Sequence, residues 1–323
     1  MSKQFQAAII GCGAIAGGYD RDRPSDSILT HAKAYHAHPN FDLVACVEPD
    51  LEKRQQFMNA WNIPLGFSSV NDLDCQIDVV SLCTPTPSHA DILDQLLLMP
   101  RSLVWAEKPI TNNLARSRHI VSCYEKAGRA LVVNYPRRWA VEIQKLKMFF
   151  EQGNYGRFQK ATVFYSRGLL NNGSHALDIL EFLLGSLIPV RCLSIGAEDI
   201  AGDPNLDVQL MTQNEMPVYM FGCTAEAFSI FEIQMLFEHG RISLLDSGFD
   251  IKIEAVIDSP RFVNYRSLSE IKHYSSGLDT ALLNSLHNIH NHLTNAEPLL
   301  STGRSALAVH ELCVQLQSMP VHH

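Results

Sequence analysis

Within roughly the first 134 residues, short apolar runs alternate with amphipathic stretches, and this alternation limits the fold more than any other feature. The runs are QAAII (6–10), FDLVACV (41–47), DVVSLC (78–83), SLVWAE (102–107) and ALVVN (130–134). Between them, Leu51 to Trp61 and His89 to Leu98 repeat apolar residues at the three- and four-residue spacing of a helix. Strands that are apolar almost throughout are buried on both faces, which requires helices above and below a parallel sheet. An open, doubly wound α/β sheet is therefore expected.

After about Asn134 the pattern changes. A helix is predicted over Val141 to Gln152 and ends at Gly153. Longer strands follow in which apolar and polar residues alternate, such as FQKATVFYSR, PVYMFGCTA and SIFEIQMLFE. That period describes a large, mostly antiparallel sheet with one face covered. From Gly277 the chain returns to helix, in two segments parted by Glu297-Pro298 and Ser301-Thr302-Gly303. The 323 residues suit two cores. The expected division is an N-terminal α/β domain over 1–134 and an α+β domain over 135–323.

The first chemical motif is Gly11-Cys12-Gly13-Ala14-Ile15-Ala16, placed directly after the first strand and opening a helix. Glycines at the first two positions allow a tight turn and close approach of a pyrophosphate. The small Ala16 lets helix pack on strand, and the helix start offers unpaired N–H groups to phosphate. This makes 1–134 a candidate dinucleotide-binding Rossmann domain, with Gly11, Gly13, Ala14, Ile15 and Ala16 at the cofactor. Glu48 ends the second strand, where a carboxylate accepts from both ribose hydroxyls of NAD and repels a 2′-phosphate. NAD(H) is thus expected in preference to NADP(H). The spacing from the glycines exceeds the usual ~20 residues, and the extra segment Tyr19 to Ser27 accounts for it.

Charge and cysteine content narrow the remaining classes. A net charge of −8 lacks the clustered basic surface that nucleic-acid binding needs. The eight cysteines, at 12, 46, 75, 83, 123, 192, 223 and 313, form no C-x-x-C pair and read as reduced thiols of a cytoplasmic protein. No signal-peptide pattern and no membrane-spanning apolar stretch is expected from the sequence. The terminal His322 and His323 receive no role.

Two further motifs follow in order: Thr84-Pro85-Thr86-Pro87-Ser88-His89 after the third run, and Glu107-Lys108-Pro109 after the fourth. Behind G-x-G-x-x-A, this ordered set resembles the glucose-fructose oxidoreductase/inositol dehydrogenase (Gfo/Idh/MocA) family. The resemblance spans most of residues 5–185. It implies that Thr84, Pro85, His89, Glu107 and Lys108 line the cofactor, that Lys108 also reaches the substrate, and that a cis bond often precedes the proline at Pro109. Chemistry agrees with a catalytic lysine, since a desolvated amine can polarise a carbonyl or accept a hydroxyl proton as hydride leaves.

A third block, Leu169 to Asp178, resembles the family's aspartate, three residues, histidine, x-x-D pattern. His175 and Asp178 match, which implies a catalytic role for His175 and a substrate contact for Asp178. Asn171 stands at the aspartate position; its amide can hydrogen-bond a substrate but holds no charge. Arg137, Arg138 and Arg167 could pair with an anionic substrate group or form structural ion pairs. His287, His290 and His292 carry no evident metal set, and His31, His36 and His38 read as surface or groove residues; His31 follows the inserted segment, which could bring it to the cofactor.

The resemblance implies an NAD(P)-dependent oxidoreductase moving hydride between nicotinamide and a polyol, sugar or nucleotide-sugar carbon. It further implies a homodimer or homotetramer with a small-molecule substrate, while charge, apolar run length and ligand spacing predict no nucleic acid, membrane or metal. A non-catalytic dinucleotide sensor and a reductase of extended conjugated substrates are the competing readings. Retention of Lys108 and His175 favours the first.

Overall fold

The computed structural model describes residues 4–22, 25–73, 76–99 and 102–321. Cys75, His322, His323 and residues 23 and 24 of the Tyr19–Ser27 segment lie outside them. The chain forms two compact units, one holding residues up to Trp139 together with Asp279–Ala308, the other Ala140–Leu278 together with Val309 onward.

In the first unit, β1 (Phe5–Ile10), β2 (Phe41–Val47), β3 (Leu65–Phe67), β4 (Val79–Leu82), β5 (Leu103–Ala106) and β6 (Leu131–Val133) form one parallel sheet in the order β3-β2-β1-β4-β5-β6. Every residue of β4 and β5 is buried, as continuous apolar runs predict. Helices include α1 (Tyr19–Asp22), α2 (His31–Ala37), α3 (Leu51–Trp61), α4 (His89–Leu98) and α5 (Leu114–Lys126). Asp50 caps α3 by accepting from the amides of Glu52 and Lys53 at 3.0 and 3.1 Å. Asn62 ends that helix in the left-handed conformation, at φ 51°.

The expected domain line at 134 leaves out what joins this unit later. Residues 136–139 and α8 (Ala281–Asn295) pack here: Trp139 Nε1 donates to Asn288 Oδ1, and Asn284 Nδ2 to the Trp139 carbonyl, both at 3.1 Å. An amphipathic helix shows that it covers a core, not which core.

The second unit carries α6 (Val141–Glu151), β7 (Phe158–Tyr165), α7 (Ser174–Leu184) and then β8 (Leu187–Ile195), β9 (Leu206–Thr212), β10 (Pro217–Gly222), β11 (Phe231–Phe237), β12 (Gly240–Leu245), β13 (Asp250–Asp258) and β14 (Arg266–Ser275). Among the described residues these strands form an eight-stranded sheet, β14-β13-β12-β11-β7-β10-β9-β8. Its pairs are antiparallel except β7 with β10. Strict alternation of buried and partly exposed residues along β9 and β11 shows one face packed, and α7 supplies apolar residues to the core. A last helix, α9 (Gly303–Ser318), closes the chain. No helix among the described residues is long and apolar enough to cross a membrane.

Candidate active site

The glycine loop forms as its residues require. Gly11 has φ +87°, and a Cβ there would lie 2.8 Å from the Thr84 backbone nitrogen, so only glycine fits between the ends of β1 and β4. A Cβ at Gly13 would meet nothing within 4 Å, so the turn opens on free space. Ala14–Gly18 then make a wide helical turn with Ala16 fully buried beneath it. Strands β1 and β4 are neighbours whose chains leave in opposite directions, which makes the crevice outside their carboxyl ends the place where such sheets bind ligands. A pyrophosphate fits this loop on its shape alone.

Glu48 stands just beyond β2, half-buried. Its Oε2 accepts from the Cys12 amide at 3.1 Å and its Oε1 from the Asp50 amide at 3.2 Å, so the carboxylate is already fixed beside the glycine loop. Arg54 of α3, which the sequence reading passed over, places its guanidinium on the Glu48 carbonyl.

The two downstream motifs are tied to each other. His89 is fully buried, and its ring nitrogens face the carbonyls of Pro109 (3.0 Å) and Thr84 (2.8 Å). The imidazole therefore bridges the T-P-x-x-x-H turn to the E-K-P turn rather than facing a ligand. The Lys108-Pro109 bond is cis, and Lys108 is half-buried at the carboxyl end of β5. Glu107 accepts from Asn134 Nδ2 at 2.6 Å and contacts His31 Nε2 at 3.0 Å. Burial alone would raise its carboxyl, but the bonds from His31 and Asn134 and the Lys108 ammonium outweigh that and hold it below the usual range.

Of the surface or groove positions expected for the histidines around the first helix, the surface alternative fails for His31 and His38. Both are buried, at 0% and 2% exposure, because α2 turns them into the unit while His36 stays exposed. His38 packs its ring 4.4 Å from that of His287 and 5.6 Å from that of His290, and burial pushes its imidazole down to about 4. No group of three or more His, Cys, Asp and Glu among the described residues is arranged to hold a metal ion. Seven cysteines are free there, with Cys46, Cys83, Cys192 and Cys313 buried. Arg138 is also buried, at 7% exposure, and donates to the Leu300 carbonyl at 3.0 Å.

In the second unit, Arg167 takes φ +67°, Gly168–Gly173 form a wide turn, and α7 begins at Ser174. Asn171 donates its side-chain amide to the Arg167 carbonyl at 3.1 Å. His175 lies half-buried in the first turn of α7, three residues before the buried Asp178, so the two share a helix face. The guanidinium-bearing Arg167 is exposed.

Residues with no local signature hold this turn in place. Asp203 accepts from the amides of Leu170 and Asn171, one with each oxygen, both at 2.8 Å. Asn205 Oδ1 accepts from the Gly168 amide at 2.8 Å, and Asp199 Oδ2 from the Arg167 amide at 2.8 Å. The Ala225 amide, the Asn205 side chain and the Arg167 amide together keep the Asp199 carboxyl low. A Cβ at Gly168 would lie 2.1 Å from Asp203 Oδ2, so the glycine and the aspartate require one another.

Comparisons with known proteins agree with this geometry. Residues 5–135 match an oxidoreductase family with an NAD-binding Rossmann fold. The D-apiose dehydrogenase of Paraburkholderia graminis is 25% identical over 224 residues, 62% of this chain and 56% of that protein. The chain thus spans just over half the length of this curated relative. Two solved structures share the fold. The WlbA dehydrogenase from Bordetella pertussis, in complex with NADH and UDP-GlcNAcA, is 19% identical with a TM-score of 0.79, over 98% of this chain and 96% of that one. KijD10, a 3-ketoreductase from Actinomadura kijaniata in complex with NADP, is 15% identical with a TM-score of 0.76, over 99% and 98%. The glycine loop at the switch point and the cis E-K-P turn both lie within residues 5–135, the part of the chain that matches the Gfo/Idh/MocA oxidoreductase family with its NAD-binding Rossmann fold.

Proposed function

We propose that this protein is an NAD(H)-preferring dehydrogenase or reductase acting on a CH–OH or C=O carbon of a sugar-like substrate, with a nucleotide-linked sugar as the favoured class. The observation that carries the reading is the E-K-P turn. Lys108, half-buried after β5, belongs to the same sheet end as a loop shaped for pyrophosphate. The bound nicotinamide would supply the hydride acceptor or donor. Lys108 would hold or take the hydroxyl proton, and in the second unit Asn171, His175 and Asp178 are the candidates for binding the sugar, with the exposed Arg167 four residues before Asn171. Relatives named as sugar dehydrogenases, and a neighbour bound to UDP-GlcNAcA, support the substrate class. Turnover of NAD+ with a panel of free and nucleotide-linked sugars tests it; no cofactor reduction or oxidation with any of them would remove the reading.

The cofactor preference rests on Glu48. A carboxylate fixed by the Cys12 and Asp50 amides would meet a 2′-phosphate with like charge if the ribose binds beside it. NADH should bind at least about tenfold more tightly than NADPH, and Glu48→Gln should narrow that ratio. Equal affinity of the native protein for both cofactors, by fluorescence titration, would remove Glu48 from the ribose site.

Asn171→Asp should weaken the protein rather than improve it. The carboxylate loses the side-chain donor that Asn171 gives to the Arg167 carbonyl and adds a second negative charge to a turn whose Asn171 backbone N–H is already held by Asp203. Stability should fall by about 1 kcal/mol, with weaker substrate binding. Faster turnover at unchanged substrate affinity would show instead that the asparagine is a lost catalytic carboxylate.

Free thiols fit a reducing cytoplasm, which we assign as the compartment. The stacked rings of Phe164, Phe221 and Tyr219 on the second sheet offer a surface for the homodimer or homotetramer.

A further inference from the structure

The E-K-P turn includes a charged group that the proposed reaction does not consume. Glu107 is 14% exposed at its side chain, and its Oε1 meets both His31 Nε2 at 3.0 Å and Asn134 Nδ2 at 2.6 Å. A carboxylate only accepts, so that His31 nitrogen carries the proton. The ring of His31 sits 3.9 Å from the Trp105 ring, and its Nδ1 meets Ser81 Oγ at 3.0 Å. Ser81 in turn meets the Tyr35 hydroxyl at 2.8 Å.

Such a chain could carry protons or hold a geometry. Tyr35 is 1% exposed and burial raises its phenol, so the far end has neither a solvent outlet nor an acidic proton to give. Ser81 can donate to or accept from Nδ1, so the imidazole stays satisfied while Nε2 stays on the carboxylate. The arrangement is a clamp. It fixes one rotamer of Glu107, the residue next to Lys108, through partners on α2, β4 and the segment after β6.

We propose, resting on the reading of Lys108 as the acid/base group, that His31 is a positioning residue for Lys108 that acts through Glu107. The groups facing Glu107 are His31, Asn134, Lys108 and the buried Cys83, whose thiol is raised by burial and by the Glu107 charge. Without His31, only Asn134 and Lys108 oppose the burial that raises the Glu107 carboxyl, so its pKa rises and its rotamer is no longer fixed. Lys108 then loses a fixed anionic neighbour, and its ammonium gives up its proton at lower pH.

His31→Phe keeps a ring against Trp105 and removes both nitrogens. Infrared titration of this variant without cofactor should show a protonated carboxyl band that appears at higher pH than in the native protein and is absent when Glu107→Gln is added. Turnover should fall about tenfold to a hundredfold, with the pH–rate limb of Lys108 moved to lower pH and NADH affinity unchanged. His31→Gln, whose amide can donate to Glu107 and accept from Ser81, should restore both. A Glu107 that protonates at the native pH in His31→Phe, or an unmoved pH–rate limb, overturns the proposal. If His31→Phe does not fold, infrared titration of the native protein decides, since Glu107 must stay ionised below the pH at which an ordinary glutamate protonates. The infrared result stands even if no sugar is turned over, so a failed substrate reading and a failed clamp are told apart.

Discussion

Lys108→Ala should lower turnover about 100-fold or more, while NADH affinity stays within about twofold of native. That factor corresponds to about 2.7 kcal/mol of transition-state stabilisation. The split follows from where the lysine sits. The groups that would hold the dinucleotide, the Gly11–Ala16 turn and Glu48, are built from the ends of β1 and β2, whereas Lys108 follows β5. Glu107 keeps His31 and Asn134 in the variant, so the E-K-P turn retains its anchors. His89 still bridges the carbonyls of Thr84 and Pro109. Steady-state kinetics beside a cofactor titration measure both halves. Near-native turnover would move the chemistry away from the E-K-P turn, and a large loss of NADH binding would make Lys108 a cofactor ligand instead.

The sheet that carries this lysine was legible because its strands are buried on both faces and so spell out continuous apolar runs. β4 and β5 are fully buried, and their sequences read as strands without help from context. Strand β3, LGF, escaped the reading because three residues at a sheet edge, with two exposed, carry no period. Helix α3 was recovered to its end residues, since Asp50 and Asn62 mark both caps. Helix α8 was found but given to the wrong side of the domain line, because its apolar stripe is silent about which sheet it meets.

Around the candidate site, the motif residues stand out in the sequence and the residues that anchor them do not. Gly11, Glu48, Thr84, His89, Glu107 and Lys108 announce themselves through spacing behind strands. His31 is separated from Glu107 by 76 residues, and Asp203 from Asn171 by 32. No local pattern records such a pairing, since a histidine at a helix start and an aspartate in a Gly-Asp-Pro-Asn turn each have ordinary solvent-facing explanations. His89 shows the reverse: its motif was read as lining a cofactor, and its two contacts are to backbone carbonyls.

Asp203→Ala should be the most disruptive of the single substitutions in the second unit. Asp203 is 6% exposed and each of its oxygens takes one amide, from Leu170 and from Asn171. Removing the carboxylate leaves two neighbouring donors without their acceptor; at about 1.5–3 kcal/mol for a bond to a charged group, with some recovery by water, the loss should be about 3 kcal/mol. Asp203→Asn keeps one acceptor oxygen and should cost about half as much. The Gly168 contact makes a separate check: Gly168→Ala puts a methyl group 2.1 Å from Asp203 Oδ2 and forces a side chain into φ +83°, so it should destabilise the same turn. Because this turn leads into α7 and carries Asn171, its loosening should raise the Michaelis constant for the sugar while NADH affinity, set by the first unit, is unchanged. Urea unfolding with substrate and cofactor titrations on the three variants measures this. An Asp203→Ala protein within about 0.5 kcal/mol of native stability would mean that water replaces the carboxylate fully and that the turn is held by Asp199 and Asn205 alone.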